Sequence, residues 1–113
     1  MREDLEKAKY LIYRYSHDWF IQLRLLASPD LEVALNLPSH NLSEQALIEL
    51  LAQMFQENYL VATRRGTGLF TPSREDIKTA LHEMPNSNEL FYGYTSGAIL
   101  EYKKLEKIYG ERE

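Results

Sequence analysis

The sequence predicts a single α-rich α+β domain, and three observations carry that prediction. Apolar residues recur at steps of three and four over most of the chain, which is the period of a helix face. Near the middle, Tyr59 to Thr63 breaks that period and reads as a strand. The turn Arg64-Arg65-Gly66-Thr67-Gly68 follows it directly. Finally, 113 residues with 44% hydrophobic content suit one core and leave little room for a second domain.

The first expected element is a long helix over residues 4–27. Leu5, Ala8, Ile12, Tyr15, Trp19, Leu23 and Leu26 make one stripe, and Leu11, Phe20, Ile21 and Leu25 widen it. Tyr10 and Tyr13 lie beside the stripe, and no Gly or Pro interrupts it. Such a helix is roughly 35 Å long at 1.5 Å per residue. Two outcomes fit so much apolar surface: the helix packs wholly on the rest of the chain, or part of it forms a homodimer seam.

Ser28-Pro29-Asp30 ends this element, because a proline drives the residue before it out of the helical region. Leu31, Val33, Ala34, Leu35 and Leu37 form a short apolar piece that stops at Pro38. The next helix starts at Asn41 or Ser43, either of which suits the cap, and runs to about Asn58. Ala46, Leu47, Leu50, Leu51, Met54 and Phe55 line one side of it. Asn58 is expected in the left-handed region at its end.

A hairpin follows, with Tyr59–Thr63 going out and Leu69–Thr71 returning. Two glycines within the turn suit the positive φ angles of a hairpin tip. Ser73 with Asp76 makes a capping pair for another helix, whose apolar face is Ile77, Ala80, Leu81 and Met84. Residues 89–94 are rich in aromatics and read as a third strand. The last helix, residues 96–109, is expected to bury Ile99, Leu100, Leu105 and Ile108. The chain thus divides into a long helix (4–27), a central unit (30–72) and C-terminal helices with the third strand (73–110), all within one domain.

Charge constrains function. The formal net charge is −4. Residues 1–58 hold five Lys/Arg against nine Asp/Glu, and residues 59–113 hold eight against eight. Neither part is the basic body that grips nucleic acid without regard to sequence. The absence of cysteine excludes disulfides and thiolate metal sites. No apolar stretch approaches the ~20 residues of a membrane span, and the charged start Met1-Arg2-Glu3-Asp4 leads into no apolar segment. The expectation is a cytoplasmic protein.

The order helix, short helix, helix, hairpin is that of a winged helix-turn-helix. Residues 31–70 resemble the winged-helix module of GntR-type bacterial regulators. The resemblance is carried by Leu31-Glu-Val-Ala-Leu-Asn-Leu-Pro38, by the helix end Leu50-Leu51-Ala-Gln-Met54-Phe-Gln-Glu-Asn58, and by the Arg/Gly-rich turn before Leu69-Phe70. It implies a winged-helix core flanked by a long N-terminal helix and a C-terminal helix, and a DNA-binding role in transcription regulation. It also departs from the family. Where GntR-type recognition helices open with a Ser-Arg-Thr-Val-Arg-like run, this chain has Glu44 and Ile48, and residues 43–58 contain no Lys or Arg. Glu44, Gln45, Glu49, Gln53, Gln56 and Glu57 are expected on the exposed face, where the carboxylates repel phosphate.

The candidate nucleic-acid contacts are Gln45, suited to an adenine edge, and Arg64, Arg65 and Thr67 at the turn. Arg74 and Lys78 add cations at the start of the following helix, whose free N–H groups favour an anion. The plain alternative for all of them is ordinary solvated surface. His17, His40 and His82 show no metal or catalytic spacing and read as surface or cap residues. Trp19, Phe20, Phe91, Tyr92 and Tyr94 read as core or interface rather than a base-stacking platform. No catalytic residue, metal or cofactor is assigned, and the protein is not expected to be an enzyme. The expected function is a DNA-binding regulator, with a protein-interaction module of winged-helix form as the alternative. The terminal helices are expected to pair two copies.

Overall fold

The computed structural model describes residues 2–17, 19–64, 68–84 and 89–110. It is an α+β fold of five α-helices and a three-stranded antiparallel sheet in the described residues. The mostly helical α+β class read from the sequence is therefore correct.

Helix α1 spans Arg2–Tyr15. Ala8, Tyr10, Leu11, Ile12, Tyr13 and Tyr15 are all buried on it. Burial at four consecutive positions covers a whole helical turn, so α1 runs through the core rather than over it.

The single helix expected over residues 4–27 is corrected: α1 stops at Tyr15. The Ser16 N–H turns back to the Tyr13 carbonyl (3.2 Å), and so does the Ser16 hydroxyl (3.2 Å). The Ile12 carbonyl instead receives the buried Tyr92 hydroxyl at 2.8 Å. A tertiary donor thus satisfies one of the acceptors that a helix end leaves open. Beyond the break, Ile21–Gln22 form β1 and Leu23–Ala27 a 3-10 turn. Leu23 and Leu26 still reach the core, but on a different backbone from the one their spacing suggested. Trp19, placed in the same stripe by its spacing, is 79% exposed.

Helix α2 (Leu31–Leu35) ends on Asn36, whose φ of 55° is left-handed. Helix α3 (Glu44–Gln56) is capped by Ser43, whose hydroxyl accepts from the Ala46 N–H at 3.2 Å. Between the two candidate caps, Ser43 is the one used. Asn58 adopts φ 63° after the helix, as its residue type suggested.

Strand β2 (Leu60–Thr63) does not form the expected two-stranded hairpin. Its return is the single bridge Ala62↔Phe70. Pro72 lacks an N–H, and Ser73 already caps the next helix, so the return strand has no room to extend. The main partner of β2 is β3 (Phe91–Tyr94), in register Leu60↔Tyr94 to Thr63↔Phe91. β3 also pairs with β1, giving the order β1–β3–β2. At the β1–β3 corner, Arg24 meets the buried Glu89 at 2.7 Å.

Helix α4 (Arg74–Leu81) opens with a reciprocal capping box between Ser73 and Asp76. It packs on α3 and on the 3-10 turn. Helix α5 (Ile99–Tyr109), led in by a 3-10 turn at Ser96–Ala98, packs on α1. Two apolar faces are corrected. On α5, Tyr102 and Leu105 are buried, as is Ala98 in the lead-in turn, while Leu100 is 79% exposed and Ile99 and Ile108 are partly exposed. Met84 lies past the end of α4 and is 77% exposed.

Among the described residues, no helix is long and apolar enough to cross a membrane.

Candidate functional site

The face of α3 is the one its sequence defined. Glu44, Gln45, Glu49, Gln53, Gln56 and Glu57 are all exposed, and the apolar residues lie beneath. Along this face the charges are tied into a lattice. Gln45 Nε2 donates to Glu49 Oε1 (3.2 Å), and Glu49 Oε2 meets the Arg74 guanidinium at 2.8 Å. Glu44 lies 2.7 Å from His82 Nε2. Gln45 and Arg74 are therefore brought together, but through a carboxylate that lies between them.

Arg64 is held elsewhere. Its guanidinium bonds Glu83 Oε2 at 2.9 Å, and both side chains are largely shielded. The other Glu83 oxygen accepts the Leu90 N–H at 3.2 Å. One carboxylate thus joins β2, the end of α4 and the approach to β3. Arg65 and Thr67 lie outside the described residues. Lys78 is exposed on α4, one turn after Arg74.

The N-terminus of α4, considered above as an anion site, already holds an anion of its own. Asp76 Oδ2 accepts the Ser73 N–H at 3.1 Å, and Ser73 Oγ accepts the Asp76 N–H at 3.1 Å. Beside the α3 face lies a cleft of about 460 Å³, lined by Leu5, Leu50, Gln53 and Gln56 with the Glu49–Arg74 pair on its wall.

Helices α1 and α5, expected to pair two copies, pack on each other within one chain. Tyr102 packs on Tyr10 and Tyr13 at ring separations of 6.0 and 5.8 Å, and Tyr109 lies 6.2 Å from Tyr10. Burial pushes the Tyr13 and Tyr102 phenols well above the ordinary range, with Glu101 adding to the effect at Tyr13.

Of the histidines, His17 stacks on Tyr94 and His82 pairs with Glu44, both near the surface. His40 departs from expectation, being buried with both ring nitrogens engaged by backbone. Among the described residues, no three metal-ligating side chains converge.

Sequence spacing missed one feature. Trp19, Ile21, Leu35 and Leu37 line an open cleft of about 360 Å³, together with Tyr15 and the polar Arg14 and Asn36. Trp19 was assigned to a continuous helix stripe, which hid it. The signal available was the run Ser16-His17-Asp18, whose residue types favour helix ends over helix interiors.

No family model matches the chain, and no curated protein or solved structure matches it either.

Proposed function

We propose that this protein is a non-enzymatic protein-interaction module of winged-helix form, rather than a DNA reader. The observation that carries this reading is the fate of its basic residues. Arg64 is neutralised by Glu83, and Arg74 by Glu49 of the α3 face, which has no cation of its own. A protein that binds duplex DNA draws much of its affinity from cations that meet phosphate and release counterions. Here Arg64 and Arg74 already face carboxylates. To reach phosphate, each arginine must first break an ion pair, and the exposed carboxylates of α3 then repel the same phosphates.

Fluorescence anisotropy with a labelled duplex library at low salt tests the reading. The expected result is no binding beyond weak, sequence-blind association. Binding that falls steeply with salt and is lost in the Arg64→Ala/Arg74→Ala variant overturns it and restores the DNA-binding regulator.

A further inference from the structure

We infer that the cleft between Trp19 and α2 receives a short segment of a partner protein in which an apolar side chain stands next to a carboxylate. This rests on the interaction-module reading and names the partner's chemistry. Three observations support it.

The first is exposure. Trp19, the only tryptophan of the chain, lines the cleft and is 79% exposed, and Val33, on the helix α2 that supplies Leu35 to the cleft, is 87% exposed. Large apolar side chains left in water beside a cleft mark a contact surface, and tryptophan is among the strongest contributors to such contacts.

The second is charge. Arg14 lines the same cleft, half-buried, and among the described residues it meets no carboxylate. Arg24, Arg64 and Arg74 each do. In a chain of net charge −4, an arginine with no acidic partner among the described residues, in a cleft lined by Ile21, Leu35 and Leu37, is complementary to an acidic ligand. A planar guanidinium in the lining fixes where the carboxylate sits, and Trp19, Ile21, Leu35 and Leu37 fix where its apolar neighbour goes.

The third is rigidity. The left-handed turn at Asn36 stands between Leu35 and Leu37, and both line the cleft. The Tyr15 hydroxyl donates to the Pro38 carbonyl, which ties this wall to α1. Ile21 is fixed by β1 opposite Tyr92. A preformed wall lowers the ordering cost of binding.

The test uses the intrinsic fluorescence of Trp19. The probes are capped heptapeptides with Leu-Glu, Leu-Gln or Leu-Lys in a Gly-Ser background, titrated into the full chain. The Leu-Glu peptide is expected to shift the emission to the blue and saturate. The Leu-Gln peptide is expected to bind about tenfold more weakly, as loss of one charge-assisted contact implies, and the Leu-Lys peptide not to bind. Arg14→Gln, checked for fold by circular dichroism, is expected to bind the Glu and Gln peptides alike, and Arg14→Lys to keep part of the preference. An emission unmoved by Leu-Glu at millimolar concentration overturns the proposal, as does equal binding of Leu-Lys. An emission shift that depends on the protein's own concentration, without peptide, assigns the cleft to a second copy and overturns it too. A failed peptide titration with no DNA binding removes this cleft but not the module reading, whereas salt-sensitive DNA binding removes that reading whatever the peptides do.

Discussion

Arg64 and Glu83, nineteen residues apart, form the ion pair that closes the segment between β2 and β3. Because Glu83 also accepts the Leu90 N–H, the carboxylate fixes the backbone as well as the charge. Its removal takes the carboxylate from a shielded guanidinium and the acceptor from a buried backbone donor. Glu83→Ala is therefore expected to cost about 2 kcal/mol. Arg74→Ala breaks a pair whose side chains are mostly exposed, and is expected to change stability by less than ~1 kcal/mol. Urea unfolding of both variants checks the contrast. Equal effects would mean that the Glu83 site is no more than surface charge.

The Tyr92 hydroxyl donates to Ile12, where α1 ends. Tyr92→Phe leaves that carbonyl open in the core and is expected to cost about 1–3 kcal/mol by thermal or urea unfolding. The same burial sets an alkaline limit. It raises the phenols of Tyr92, Tyr13 and Tyr102 above their ordinary value. A group whose folded value is raised holds its proton more tightly in the folded state. The stability it contributes is thus complete below about pH 10, the ordinary tyrosine value, and is lost as pH rises above it. Absorbance at 295 nm should show at least three of the eight tyrosines ionising only together with the loss of helical ellipticity. Ionisation of all eight with the ellipticity intact would refute it.

Residues whose signal is local were legible in the sequence. The Ser73–Asp76 box, the Asn58 turn and the apolar side of α3 depend on neighbours within a turn or two, and they appear where spacing put them. Pairings that are remote in sequence were not legible. Nothing near residue 20 announces that Ile21 and Gln22 meet Tyr92 and Phe91, or that Tyr92 terminates α1. The helical period running through Trp19 was real as a pattern but was overruled by this strand pairing. On α5 the buried face is set by tyrosines, which an aliphatic stripe undervalues. The candidate cations were found, but their carboxylate partners at positions 49 and 83 were not, because those pairs exist only in the fold.

Gly93 in β3 is covered by the Phe20 ring. A Cβ there would stand 2.4 Å from the nearest ring carbon, so Gly93→Ala forces the ring away. Phe20 is itself partly exposed and has space to move outward. The expected cost of Gly93→Ala is therefore about 1–2 kcal/mol, close to that of Phe20→Ala. The double variant should cost clearly less than the sum, because each change removes the same contact. Additive effects in this cycle, measured by urea unfolding, would show that the ring does not depend on the glycine.

His40 is the residue whose protonation pattern the backbone dictates. Its Nε2 lies 2.6 Å from the Leu26 carbonyl, which only accepts, so Nε2 carries the proton. Its Nδ1 lies 3.0 Å from the Leu42 N–H, which only donates, so Nδ1 is bare. The ring is thereby specified as the neutral Nε2–H tautomer and joins the 3-10 turn to the approach of α3. Long-range ¹H–¹⁵N correlation spectra should show one nitrogen of His40 protonated and the other not, with the protonated one identified as Nε2. His40→Ala strands both backbone groups and is expected to cost about 2–3 kcal/mol. His40→Asn places an acceptor near the Nδ1 position and should recover part of that loss by satisfying Leu42 alone. Recovery by Gln, which reaches toward Leu26, but not by Asn would instead assign the greater contribution to the Leu26 bond. A spectrum of the opposite tautomer would overturn the arrangement itself.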